Sequence, residues 1–167
     1  MLILGTGIGG GVVVNGEIVR GVRNAAGELG HVVIDRNGPA CSCGAHGCVE
    51  AFASGSGLSA RAREAMGGAL DAEQLGTNAK RGDQVARRII EDGGRALGTA
   101  IVSLLQVLNP QRVILSGPLL RLGSVYMNAV RSSIEEGGMP LARGSFELII
   151  STLEEPSLLG AGLLIFG

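Results

Sequence analysis

All three cysteines of this 167-residue chain fall within eight positions, Cys41-Ser42-Cys43-Gly44-Ala45-His46-Gly47-Cys48. An odd number of thiols packed so closely does not make a disulfide framework. It points to a reducing compartment and a metal ion. Thiolates at Cys41 and Cys43, and at Cys48 after a glycine-bearing turn, can converge on one tetrahedral ion. A closed structural zinc site needs a fourth ligand, and the chain has only two histidines, His31 and His46. His46 lies inside the loop between Cys43 and Cys48, where a chelate ring would be cramped. His31 precedes the loop and can approach from another direction, so tetrahedral geometry favours it over His46. The alternative is three buried, inert thiols acting as small hydrophobes.

Around this cluster the pattern is that of an α/β domain. Leu2–Leu4 is a short apolar run ending at Gly5, which reads as a buried strand. Val12–Val14 and Glu17–Val19 flank Asn15-Gly16, a strong hairpin signal. Residues 20–30 read as loop, His31–Asp35 as a further strand, and Arg36–Val49 as a Gly/Pro/Cys loop. A helix is expected from Glu50, loosened at Ser54–Gly57, continued by Leu58–Met66 and stopped by Gly67-Gly68. Gly82-Asp83 opens a long helix whose apolar residues fall near a 3.6 period until Asn109-Pro110. Arg112–Ser116 reads as a buried strand, Ser124–Glu136 as a helix, Glu147–Ser151 as a strand and Pro156–Ile165 as a small-residue helix. No repeat or low-complexity linker interrupts the chain, so residues 1–167 are expected to be one domain.

Composition narrows the function classes. With 46% hydrophobic and 17% charged residues, the chain can bury a core. A net charge of −1 carries no basic excess for nucleic acid, and one Tyr, three Phe and no Trp make a poor stacking platform. Direct nucleic-acid binding is therefore not expected. Ala100–Leu108 and Leu158–Phe166 are too short or too interrupted to span a bilayer, and the start lacks a signal-peptide pattern. A cytoplasmic location without membrane contact is the expectation.

Two further features carry chemistry. Gly5-Thr6-Gly7-Ile8-Gly9-Gly10 matches G-x-G-x-x-G, but a dinucleotide fingerprint must open a helix, and here valines and an Asn-Gly turn follow. A strand–glycine turn–strand can still expose successive N–H groups to a phosphate. The alternative is a tight hairpin with no ligand. Glu28 stands three residues before His31, and Glu50 two after Cys48. If His31 and Cys48 share an ion, both carboxylates meet at its edge. Two carboxylates with an imidazole suit a polyhydroxyl ligand, each carboxylate accepting from hydroxyls. Taken singly, Glu50 could be a helix-start carboxylate and Glu28 a solvated loop charge.

The segments Leu4–Gly11, Ala26–His31, Cys41–Glu50, Ala53-Ser54-Gly55, Leu108-Asn109-Pro110, Val113–Gly117 and Leu159-Gly160-Ala161 together resemble the ROK family of bacterial sugar kinases and sugar-responsive repressors. The resemblance implies the C-terminal, actin-like (ribonuclease H-like) domain of a two-domain protein, with a mixed sheet, an N-terminal hairpin and a zinc-bound loop. It implies sugar contacts from Glu28, His31 and Glu50, and a structural zinc on His31, Cys41, Cys43 and Cys48. Gly5, Thr6 and Gly7 would lie at the ATP phosphates, and Gly117 in the turn facing adenosine. There the family usually has two glycines, and this chain has Ser116-Gly117-Pro118.

The implied activity is glucokinase-like hexose 6-phosphorylation with ATP and Mg²⁺. The alternative is the sugar-sensing domain of a repressor. Family kinases use an aspartate in an Asn-Asp loop as general base, together with an Asp-Gly-Thr phosphate loop. Neither stands here, and Asp35, Asp71, Asp83 and Asp92 lack that context. The expectation is that the N-terminal half lies outside this chain. The sugar would be a hexose or an N-acetylhexosamine. A domain face left apolar by that separation favours homo-oligomers.

Overall fold

The computed structural model of the chain describes residues 1–68, 70–138 and 146–153. Four strands form a mixed sheet in the order β2-β1-β5-β6. β1 (Leu2–Leu4) runs antiparallel to β2 (Ile8–Gly10), with Leu4 opposite Ile8, and parallel to β5 (Arg112–Ser116). β6 (Glu147–Ile150) adds parallel to β5. β3 (Val13–Val14) and β4 (Glu17–Ile18) form a separate hairpin. Its turn residues Asn15 and Gly16 have φ of 52° and 83°, the left-handed pair an Asn-Gly hairpin turn requires.

Among the described residues, five α-helices accompany the sheet: α1 (Val49–Ala53), α2 (Gly55–Met66), α3 (Ala72–Lys80), α4 (Gln84–Leu108) and α5 (Ser124–Glu136). The long helix α4 has clear local causes. Asp83 caps its start by accepting from the Val85 and Ala86 N–H groups. Asn109 ends it in the left-handed conformation, φ 42°, just before Pro110. Its apolar stripe (Ile89, Ile90, Leu97, Ile101 and Leu105) meets Leu4 and Leu115 of the sheet in the core. Tyr126 of α5 is fully buried there, and its hydroxyl donates to the Ala53 carbonyl at 2.9 Å.

Several expectations from the sequence change. His31–Asp35 is not a strand. Residues Leu29–His31 form a single 3₁₀ turn, and Val33 makes only an isolated bridge to Cys48. The Val32 N–H turns back to the Leu29 carbonyl and the Gly38 N–H to the Asp35 carbonyl, so the segment curls around the cysteine loop instead of extending. The Asn15-Gly16 hairpin forms as expected, and a further strand, Ile8–Gly10, lies within the glycine-rich stretch and pairs with β1, so the glycine turn is only Gly5–Gly7. The helix expected from Glu50 is two helices, broken at Ser54. Helix α3 was not expected, because Gly76 interrupts its apolar pattern. Its start carries a capping box between Asp71 and Gln74 that the sequence does show. The helix expected at Pro156–Ile165 lies outside the described residues. Among the described residues, no helix is long and apolar enough to cross a membrane.

Helices α4 and α5 cross closely because α4 presents Gly94 and Gly98 at the contact. A Cβ at Gly98 would stand 2.5 Å from the Ser133 Cβ and 2.7 Å from the Val130 carbonyl oxygen. At an open helical position, Gly→Ala gains up to about 1 kcal/mol. Here the obstacle is backbone, which cannot swing aside. Gly98→Ala is therefore expected to lower stability by about 1–3 kcal/mol, the usual cost of overpacking. Denaturant unfolding checks this, and an unchanged or raised midpoint contradicts the close crossing.

Candidate functional site

The cysteine loop is folded by its own backbone. The Cys41 N–H donates to the Ala45 carbonyl at 2.8 Å and the Gly44 N–H to the Cys41 carbonyl at 3.0 Å, closing a tight turn. Gly47, with φ of 71°, sits where a Cβ would run into the Asp35 carbonyl. The Ile34 N–H reaches the Gly47 carbonyl and the Val49 N–H the Val32 carbonyl, each at 2.9 Å. These bonds draw the segment after His31 onto the end of the loop.

One ligand atom each from His31, Cys41, Cys43 and Cys48 therefore lies within 4.8 Å of the others. An ion with bonds of about 2.3 Å to sulfur and about 2.0–2.1 Å to nitrogen sets neighbouring ligand atoms roughly 3.5–3.8 Å apart. The His31 Nδ1 to Cys41 Sγ distance is 3.5 Å, and that from Cys43 Sγ to Cys48 Sγ is 3.7 Å. His46 is not in the group. The donor chemistry agrees with the geometry. Burial first, then hydrogen bonding with Cys41 and Cys43, pushes the Cys48 thiol up to about 12. The Ala45 backbone, followed by the Cys41 side chain, holds the Cys43 thiol below its ordinary value. Three thiolates in so small a space would repel one another, and a divalent cation would offset that repulsion.

The two carboxylates reach the same place. Glu28 Oε2 lies 4.0 Å from His31 Nε2, the ring nitrogen turned away from Cys41. The hydrogen bond to Cys41 is the main influence raising the His31 pKa. Burial opposes it, and the charges of Glu50, Cys41 and Glu28 add to it. Glu50 is in the first turn of α1, two residues after Cys48, which stands at that helix's N-cap. Its Oε2 accepts from the Ile8 N–H at 2.8 Å and its Oε1 from the Ser42 hydroxyl at 3.3 Å.

The glycine turn is seated on the joint between α1 and α2. The Gly55 N–H donates to the Gly5 carbonyl at 2.9 Å and the Ser56 N–H to the Thr6 carbonyl at 3.0 Å. The N–H groups of Thr6 and Gly7 take no acceptor among the described residues. Gly5 and Thr6 also form one wall of a cleft of about 590 Å³. The other walls bring in Ser56, Ser59, Glu73, Lys80 and Arg121. Sequence reasoning missed Glu73, Lys80 and Arg121, since α3 and the 3₁₀ turn Pro118–Leu122 were not expected, and it gave Ser56 and Ser59 of the expected helix no role. The Asp71–Gln74 capping box was the available signal. Gly117 stands just before that 3₁₀ turn, with φ of 108°, and packs on the Leu4 backbone. Pro118 and Leu119 line the cleft, and Gly117 is not among its lining residues.

All four aspartates have structural work. Asp71 and Asp83 cap α3 and α4, Asp92 pairs with Arg61 at 2.8 Å, and Asp35 accepts from the Asn37 N–H. None touches His31, Glu28 or Glu50 in these bonds.

The ROK family model matches residues 1–165. The chain belongs to the ROK family. It is 36% identical to a glucokinase from Thermotoga maritima, over 98% of this chain and 56% of that protein. It is 34% identical to an N-acetylmannosamine kinase from Salmonella heidelberg, over 99% of this chain and 56% of that protein. A crystal structure of a ROK hexokinase from Thermus thermophilus superposes with a TM-score of 0.88 at 35% identity, covering 97% of this chain and 56% of the other. The chain thus spans about half the length of these ROK relatives, and its α/β fold with a mixed sheet is theirs.

The Ile8–Glu50 bond can be tested through Gly7, where a Cβ would stand 2.6 Å from Glu50 Oε2. That obstacle is the movable end of a side chain. Gly7→Ala is therefore expected to leave the fold intact and push the carboxylate off the Ile8 N–H. The Ile8 amide proton should move upfield in NMR spectra, with a stability loss of about 1–3 kcal/mol. An unmoved Ile8 resonance contradicts the contact.

Proposed function

We propose that these residues are the sugar-orienting and nucleotide-facing part of an ATP-dependent hexose kinase of glucokinase type. In this reading they form the C-terminal, actin-like domain of such an enzyme. The observation that carries the proposal is the shared glycine turn. Glu50 holds it through Ile8 on one side, and the cleft opens from Gly5 and Thr6 on the other. A sugar at Glu28, His31 and Glu50 and a nucleotide in the cleft would thus be neighbours across three residues. The unused N–H groups of Thr6 and Gly7 suit a phosphate as donors. Lys80 and Arg121 offer cations for phosphate in a lining that also carries Asp71 and Glu73. The names of the relatives support a hexose or an N-acetylhexosamine as the sugar.

The roles follow from chemistry. Carboxylates at Glu28 and Glu50 accept from two sugar hydroxyls, and the His31 Nε2–H donates to a third. Fixing the sugar in this way contributes orientation, which lowers the barrier by removing rotational freedom beforehand. The donor set of His31, Cys41, Cys43 and Cys48 fits a structural zinc, which would tie the loop carrying Ser42 to the start of α1. Mg²⁺ bound with ATP supplies charge neutralisation of the phosphates. The base that takes the sugar hydroxyl proton is assigned to the N-terminal domain of the enzyme, since every aspartate here is engaged elsewhere.

Two outcomes test this reading. Elemental analysis should find one zinc per chain. Cys48→Ser should lose the metal and lower the melting temperature by roughly 10 °C, because structural zinc contributes folding energy. A stable chain free of metal would end the zinc assignment. Separately, Glu28→Gln should weaken hexose binding about tenfold by removing a charged acceptor. Zinc content should be unchanged. Calorimetric titration with glucose and N-acetylmannosamine reads this, and wild-type affinity in the variant removes Glu28 from the site.

A further inference from the structure

The Glu50 carboxylate is held by two different parts of the chain. Its Oε2 accepts from the Ile8 N–H in the strand after the glycine turn, at 2.8 Å. Its Oε1 accepts from the Ser42 hydroxyl at 3.3 Å. Ser42 lies between Cys41 and Cys43, and its hydroxyl is 3.9 Å from Cys41 Sγ. With one oxygen anchored, a carboxylate can still swing about its terminal torsion, which is broad and roughly two-fold. With both oxygens anchored, its plane is set. A carboxylate oxygen has two acceptor positions, so the Ser42 bond on Oε1 leaves one open.

From this geometry we infer that Ser42 is a positioning residue that aims the open acceptor of Glu50 at the sugar. The inference rests on the sugar-binding reading above and adds a residue to it. It also gives the cysteine loop a task beyond bracing. Cys41 and Cys43 flank Ser42, and Cys48 stands two residues before Glu50, so holding these thiols together fixes both ends of the Ser42–Glu50 bond. Ser42 is exposed and packs against little, so its replacement has little to disturb except that bond.

The test compares the wild-type chain with Ser42→Ala, Ser42→Thr and Glu50→Gln, all metal-loaded, in NMR titrations with glucose and N-acetylmannosamine. Ser42→Ala should weaken sugar binding about three- to tenfold, the effect of one hydrogen bond to a charged group in partly solvated surroundings. Ser42→Thr keeps a hydroxyl and should restore affinity to within about twofold of wild type. Metal content and melting temperature should match wild type in both. The Ile8 amide should stay downfield in both and move upfield only in Glu50→Gln. Wild-type affinity in Ser42→Ala overturns the role of Ser42 and leaves the sugar reading standing. Loss of metal in Ser42→Ala, or failure of threonine to rescue, makes the residue structural and also overturns it. A wild-type chain whose Glu28, His31 and Glu50 resonances ignore both sugars overturns the sugar reading, and this inference with it.

Discussion

The break between α1 and α2 at Ser54 positions most of the site. Ser54 is fully buried and its backbone is extended, with φ −82° and ψ 168°. Its hydroxyl accepts from the Gly57 N–H at 3.0 Å and so starts α2. An unbroken helix would spend the Gly55 and Ser56 N–H groups on its own carbonyls. Because a new helix begins here, those groups are free to hold the Gly5 and Thr6 carbonyls. The glycine turn is thus fastened to a helix start, while Glu50, one turn earlier in α1, catches the Ile8 N–H at the start of β2. Gly57 completes the joint, since a Cβ there would stand 2.6 Å from the Glu50 and Ala51 carbonyl oxygens.

This explains which parts of the molecule could be read from the sequence. Helix α4 and strand β5 were legible to the residue because their causes are local: a cap at Asp83, an apolar stripe, Asn109-Pro110, and a β-branched run between a proline and a glycine. The convergence of His31 with the three cysteines was legible because ligand chemistry admits few partners. The His31–Asp35 segment misled because its contiguous β-branched run Val32-Val33-Ile34 suits a strand, while its backbone partners come from the loop and cap of a later segment. Helix α3 hid behind Gly76, which is tolerated because it faces Leu122 at close range, a tertiary contact no local window contains. The cleft was therefore invisible even though Gly5 and Thr6 were already suspected.

Glycine content served two separate ends. In α4, Gly94 and Gly98 let α5 approach closely enough to cover Tyr126, whose hydroxyl ties α5 to the last residue of α1. At the site, Gly7 and Gly47 make room for a carboxylate and a carbonyl. The first pair sets the distance between layers and the second sets the shape of a surface. The core thereby reaches the site through one buried hydrogen bond, from Tyr126 to Ala53, placed one residue before the break at Ser54.

Both ring nitrogens of His31 face a partner. Its Nδ1 faces Cys41, and its Nε2 faces Glu28. The hydrogen bond with Cys41, and after it the nearby charges of Glu50, Cys41 and Glu28, raise its pKa against the opposing effect of burial. A cation held by the three sulfurs would compete for Nδ1, leaving a neutral imidazole with its remaining hydrogen on the other nitrogen. That would place an N–H donor beside Glu28, an acceptor. In the proposed reading, the ring N–H and the Glu28 carboxylate would then stand side by side, a donor and an acceptor for two adjacent sugar hydroxyls.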